Sequence, residues 1–139
     1  MIKKTDTILD EIVSKVKSHL HEKKKSTSIQ DMVNLAKKES RVIISLSERI
    51  MQKSSFNAHL SQIGLIAEIK RASPSKGIFD KHFDAIAVAN VYASNGVSGI
   101  SILTEPDYFL GNLTDLKSCY EYLINKYNNE RPAILRKDF

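Results

Sequence analysis

Short apolar runs begin near Leu65, Gly99 and Ala133, and a helical pattern separates each from the next. The unit therefore repeats about every 34 residues, the size of a strand-helix-strand crossover. A connection of that length joins parallel strands, because a hairpin needs only a few residues. The repeat predicts an α/β chain with a parallel sheet and helices outside it. Leu65-Ile66-Ala67-Glu68-Ile69-Lys70 is too short for a core helix and lies between Gly64 and the turn-forming Ser73-Pro74-Ser75-Lys76-Gly77. A helix over 84–95 ends at Gly96, a second strand covers 99–104, and Asn112 with Asp115 opens a helix bearing Leu116, Tyr120, Leu123 and Tyr127. Pro132 then admits a third strand, 133–137.

Binding groups of parallel α/β sheets gather at the carboxyl ends of the strands, whether the sheet is doubly wound or closed into a barrel. Here those ends hold Lys70, Thr104-Glu105 and Lys137-Asp138. Side chains alternate across a strand, so Leu65, Ala67 and Ile69 share one face while Ile66, Glu68 and Lys70 share the other. The all-apolar face is expected to take the helices. Glu68 and Lys70 are then turned inward, where an isolated ion costs several kcal/mol unless it is paired. Two readings fit: a functional acid-base group, or a structural ion pair between Glu68 and a neighbouring lysine.

Residues 1–61 carry no visible chemistry. Ile8, Leu9, Ile12, Val13, Val16 and Leu20 recur at helical spacing over about 7–25, behind a Thr7-Asp10 capping box. Ser28 with Asp31 opens a shorter helix with Met32, Leu35 and Ala36, and Val42, Ile43, Leu46 and Ile50 suggest a third. The formal net charge of +5 raises nucleic acid as a partner. Its densest run, Lys23-Lys24-Lys25, instead falls at a predicted helix end, where cations complement the macrodipole, with no aromatic residues interleaved. Nucleic acid is not expected as a partner. Cys119 is the one cysteine, which excludes an internal disulfide and a clustered thiolate metal site, and its helical setting suggests a packed or partly exposed thiol. The charged start lacks a signal-peptide core and no apolar run reaches membrane-spanning length, so a cytoplasmic location without membrane attachment is expected.

The stretch Leu65 to Gly77, with Glu68-Ile69-Lys70-Arg71-Ala72-Ser73-Pro74-Ser75 at its heart, resembles the signature of the indole-3-glycerol-phosphate synthase family. Ser101-Ile102-Leu103-Thr104-Glu105 through Tyr108-Phe109-Leu110-Gly111, and Leu135-Arg136-Lys137-Asp138-Phe139, are similar to the family in order and spacing. Ile8-Leu9-Asp10-Glu11-Ile12 is similar to the helical extension that precedes its barrel. The resemblance implies an eight-stranded (β/α) barrel, of which 1–61 is the helical extension and 62–139 the first three strand-helix units, incomplete. It implies a carbon-carbon lyase of tryptophan biosynthesis, converting 1-(2-carboxyphenylamino)-1-deoxyribulose 5-phosphate to indole-3-glycerol phosphate, carbon dioxide and water. Neither metal nor organic cofactor is implied.

By the same resemblance Lys137 matches the general acid of ring closure, Lys70 a lysine that assists binding and proton transfer, and Glu68 the glutamate beside it. Ring closure needs an acid for the developing alkoxide, and two ammonium groups at one mouth ease loss of a proton from either. Ser73 and Pro74 match the loop that covers the substrate, and Phe109 and Phe139 match apolar residues near its aromatic ring, which a flat side chain suits. Ser101 is a further substrate-contact candidate. Phe139 could equally pack beneath a following helix, and Ser101 could only fill the barrel. The other five strands, a second acid-base carboxylate and the phosphate-holding loops lie outside this sequence, so a truncated, inactive fragment is expected, with a missing or fused C-terminal half as its partner. The rivals are another phosphosugar barrel, such as a phosphoribosylanthranilate isomerase, and a non-catalytic fragment that docks on a complementing chain.

Overall fold

The computed structural model describes residues 4–55 and 63–138. The chain forms two compact units, Met1–Arg41 and Val42–Phe139. The first holds helices α1 (Ile8–Ser26) and α2 (Ile29–Lys38). Thr7 caps α1 through Leu9 N–H rather than Asp10 N–H, while the Asp10 carboxylate accepts from Thr5 and Asp6. Lys23, Lys24 and Lys25 occupy its last turn, as helix-end cations. The Ser28-Asp31 box of α2 is complete in both directions.

The second unit begins with α3 (Leu46–Ser55). Val42 and Ile43, expected on this helix, lie before it. The run 42–44 is β-branched and disfavours helix, and Ser45 starts the helix by accepting Glu48 N–H at 3.3 Å.

Three parallel strands follow, β1 (Ile66–Ile69), β4 (Gly99–Leu103) and β5 (Ala133–Lys137), in the order β1-β4-β5. Glu68 stands beside Ser101 and Ser101 beside Leu135, and Leu103 pairs with Lys137. After β1 the chain makes a small antiparallel hairpin, β2 (Ala72–Ser73) with β3 (Gly77–Ile78), which the repeat did not foretell. Gly77 takes the left-handed conformation that closes it, with φ 66°.

Helices α4 (Ala85–Ser94) and α5 (Leu113–Tyr127) cover one face of the sheet. Asp84 caps α4 through Ile86 and Ala87, and Asn112 caps α5 through Asp115 at 2.6 Å. The core joins Ile69, Ile100 and Ile102 of the strands to Ala85 and Ala89 of α4 and Cys119 and Leu123 of α5, with Ala67 and Ile134 at its margin. The apolar face expected to take the helices is therefore the one that does. Cys119 is fully buried. Burial, with smaller pushes from Asp115 and Asp84, raises its thiol to about 11, which leaves it a packing group and not a nucleophile.

Candidate functional site

Alternation along β1 and β5 turns Glu68, Lys70 and Lys137 to the face opposite the helices. Parallel pairing with β4 between them brings the two ends level. Glu68 Oε1 accepts from Lys70 Nζ at 2.5 Å, and Glu68 Oε2 lies 3.2 Å from Lys137 Nζ. One carboxylate thus joins two ammonium groups from strands that are not neighbours. Burial pushes the Glu68 carboxyl up, but hydrogen bonds from Lys70 and Lys137, with their charges, outweigh it and hold the group below the usual carboxylate range. The cluster keeps one net positive charge, two ammoniums against one carboxylate, which suits an anionic ligand.

Aromatic rings flank both lysines. The Phe109 ring centroid lies 5.4 Å from Lys137 Nζ and that of Phe79 lies 5.7 Å from Lys70 Nζ, both within cation-π range. Phe109, expected to contact the substrate ring, lies against the Lys137 ammonium. Phe79, just beyond the hairpin, was not singled out, because no sequence pattern shows that the hairpin folds it back onto Lys70.

Ser101 shares the inner face with Glu68, its residue partner across the ladder, and its hydroxyl is buried without a hydrogen-bond partner among the described residues. Ser73 lies in the hairpin, its carbonyl accepting Lys76 N–H at 3.3 Å, and Pro74 is exposed at the turn. Phe139 lies outside the described residues.

Three further residues hold this arrangement together. Arg71 donates to both oxygens of Asp115 at 2.9 Å and stacks 4.7 Å from the Phe83 ring centroid, which ties the root of the hairpin to the start of α5. Its carbonyl accepts Phe79 N–H at 2.9 Å, closing the hairpin below the ring. Thr104 donates its N–H to the Lys137 carbonyl at 2.8 Å and its hydroxyl to the Asp138 carboxylate, gripping the backbone of that lysine and the residue after it. Glu105, at the end of β4, is buried. Strand-end position marks Thr104 and Glu105 in the sequence, but their partners are visible only in the fold. Among the described residues no group of histidine, cysteine and carboxylate side chains could hold a metal ion, and no helix is long and apolar enough to cross a membrane.

The model of the indole-3-glycerol phosphate synthase family matches residues 9–139. An indole-3-glycerol phosphate synthase of Campylobacter fetus is 42% identical over 132 residues, 95% of this chain and 45% of the relative. Another, from Aliarcobacter butzleri, is 38% identical over 132 residues, 95% of this chain and 46% of the relative. A multifunctional tryptophan biosynthesis protein of Pichia angusta is 41% identical over 97 residues, 70% of this chain and 25% of the relative. The chain spans about half the length of the first two relatives.

Proposed function

The chain belongs to the indole-3-glycerol phosphate synthase family, and from that membership we propose that it supplies the proton-transfer part of a decarboxylating ring closure, within a complete eight-stranded barrel. The observation that carries this reading is the single carboxylate of Glu68 bonded to both Lys70 and Lys137, with an aromatic ring against each ammonium. The substrate is 1-(2-carboxyphenylamino)-1-deoxyribulose 5-phosphate, an anion with a flat ring, matched to a positive cluster with aromatic walls.

In this reading the ring carbon bearing the carboxylate attacks the sugar ketone. A carbon-carbon bond forms and the ketone oxygen takes a proton from the Lys137 ammonium. The carboxylate then leaves as carbon dioxide, its bonding electrons restoring the ring, and loss of water gives the indole. Glu68 is the shared counter-ion that places Lys137 and Lys70 side by side between turnovers, and Lys70 holds the substrate and relays a proton in the dehydration. Ser73 and Pro74, on the hairpin beside Phe79, belong to the loop over the substrate, Phe109 and Phe139 line the ring site, and Ser101 faces it. The site works in a cytoplasmic enzyme, without a metal or organic cofactor.

The 139 residues alone are inactive in this reading, because β1 and β5 are both edge strands and binding energy from a non-reacting phosphate, held elsewhere in such barrels, is needed to orient the carbons. The required partner is a C-terminal half, separate or fused. Indole-3-glycerol phosphate formation is to be assayed with the chain alone, and with the chain plus the C-terminal half of the Campylobacter fetus relative. Activity only in the second mixture is expected. Activity of the purified chain alone would overturn the requirement for a partner, and none in either mixture would overturn the assignment.

A further inference from the structure

The loop from the end of β4 to the start of α5 is held more firmly than its exposure suggests. Pro106, Asp107 and Leu110 are exposed, yet Glu105 at its root is only 2% exposed. Its carboxylate accepts three backbone N–H groups, from Asp107 at 2.9 Å on Oε1 and from Tyr108 at 2.7 Å and Phe109 at 3.1 Å on Oε2. The far end is fixed as well. Gly111 donates its N–H to the Glu105 carbonyl at 2.8 Å, and a Cβ at 111 would come within 2.4 Å of the Leu103 carbonyl oxygen, so the backbone there lies flush on β4. Between these anchors Leu110 takes φ 52°, unfavourable for a residue with a side chain and kept only where its surroundings enforce it.

What the anchored loop delivers is Phe109, whose ring centroid is 5.4 Å from Lys137 Nζ. We propose that Glu105 is a positioning residue for Lys137, its carboxylate gathering the N–H groups of Asp107, Tyr108 and Phe109 so that the Phe109 ring is set against the ammonium. The catalytic use of that contact rests on the reading of Lys137 as proton donor; the contact does not. Only a carboxylate accepts on both oxygens at once. Glutamine has nearly the same shape but turns one of these positions into a donor, facing an N–H that also donates. Bonds to a charged acceptor are also the stronger kind. The ring in turn holds the ammonium by its face at a defined place.

The test uses the 139-residue chain with its lysines reductively dimethylated by labelled formaldehyde and a borane reductant that supplies the hydride, which keeps their charge and gives each an NMR signal. The Lys137 signal is assigned by its loss in Lys137→Arg. Its ring-current displacement is defined by the change seen in Phe109→Leu. In Glu105→Gln the Lys137 signal is expected to move to the Phe109→Leu position. The amides of Asp107, Tyr108 and Phe109 are expected to exchange about tenfold faster or more, while Ile100 and Ile102 keep their protection. Three results would overturn the proposal: an unmoved Lys137 signal in Glu105→Gln, loss of β4 protection along with the loop, or a Lys137 signal indifferent to Phe109→Leu. No turnover is read, so failure of the ring-closure assignment and failure of this one are separate outcomes.

Discussion

The two faces of the three-stranded sheet come from the same strands and differ in how they are finished. On the helix side Ile69, Ile100 and Ile102 are at most 2% exposed, closed over by α4 and α5. On the other side Leu103 and Ala133 are buried as well, but Ile66 is 43% and Leu135 45% exposed, and Glu68, Lys70 and Lys137 each keep about a third of their side-chain surface. The helix side is completed locally, since each crossover brings its own covering helix. The inner side is closed in a barrel by strands far away in sequence, so its residues are chosen for chemistry as much as for packing.

Emptying one position on each side should separate the two faces most strongly. Leu123→Ala, at a site with no exposed surface, is expected to cost about 2–5 kcal/mol, and Leu135→Ala well under that. Amide exchange at Ile100 and Ile102 measures both, and equal effects would mean that the inner face is as tightly packed as the outer. For the chemistry the order reverses. Lys137→Met in the assembled barrel should lower turnover by about 10²-fold or more, the range that general acid catalysis supplies. A near-normal turnover number would remove Lys137 from the mechanism.

A smaller effect tests whether the inner face works as one network. Glu68→Gln and Lys70→Met should combine non-additively, with a coupling on the order of 0.5–3 kcal/mol in ΔΔG for turnover. Additive losses would make the 2.5 Å contact between them incidental. The smallest expected effect is in pH. Glu68 has its folded-state value lowered from 4.5, so its contribution to stability is present above 4.5 and is lost as pH falls through the lowered value. An acid unfolding profile of Glu68→Gln should therefore be flatter than that of the parent below about 4.5, and an unchanged profile would assign the acid sensitivity to other carboxylates.

Much of the fold was legible because it is periodic. The spacing of Leu65, Gly99 and Ala133 implied parallel strands, the alternation in β1 implied which face the helices cover, and Asn112 and Ser28 marked helix starts by capping chemistry that acts within three residues. The start of α3 was misplaced because apolar spacing over 42–50 looks helical even though Ser45, a local cap, begins the helix later. The hairpin after β1 was missed because its strands are two residues each, too short to leave a period.

The α/β class, the strand-helix order, and the charged residues at strand ends are therefore encoded locally, since each follows from the geometry of one helix or strand. It takes the folded chain to show that Glu68 bridges Lys70 and Lys137, that Phe79 and Phe109 face those lysines, and that Glu105 binds the loop carrying Phe109. Those contacts depend on register between strands and on the path of loops. Both are set by pairing and packing between residues distant in the chain, which no local spacing encodes.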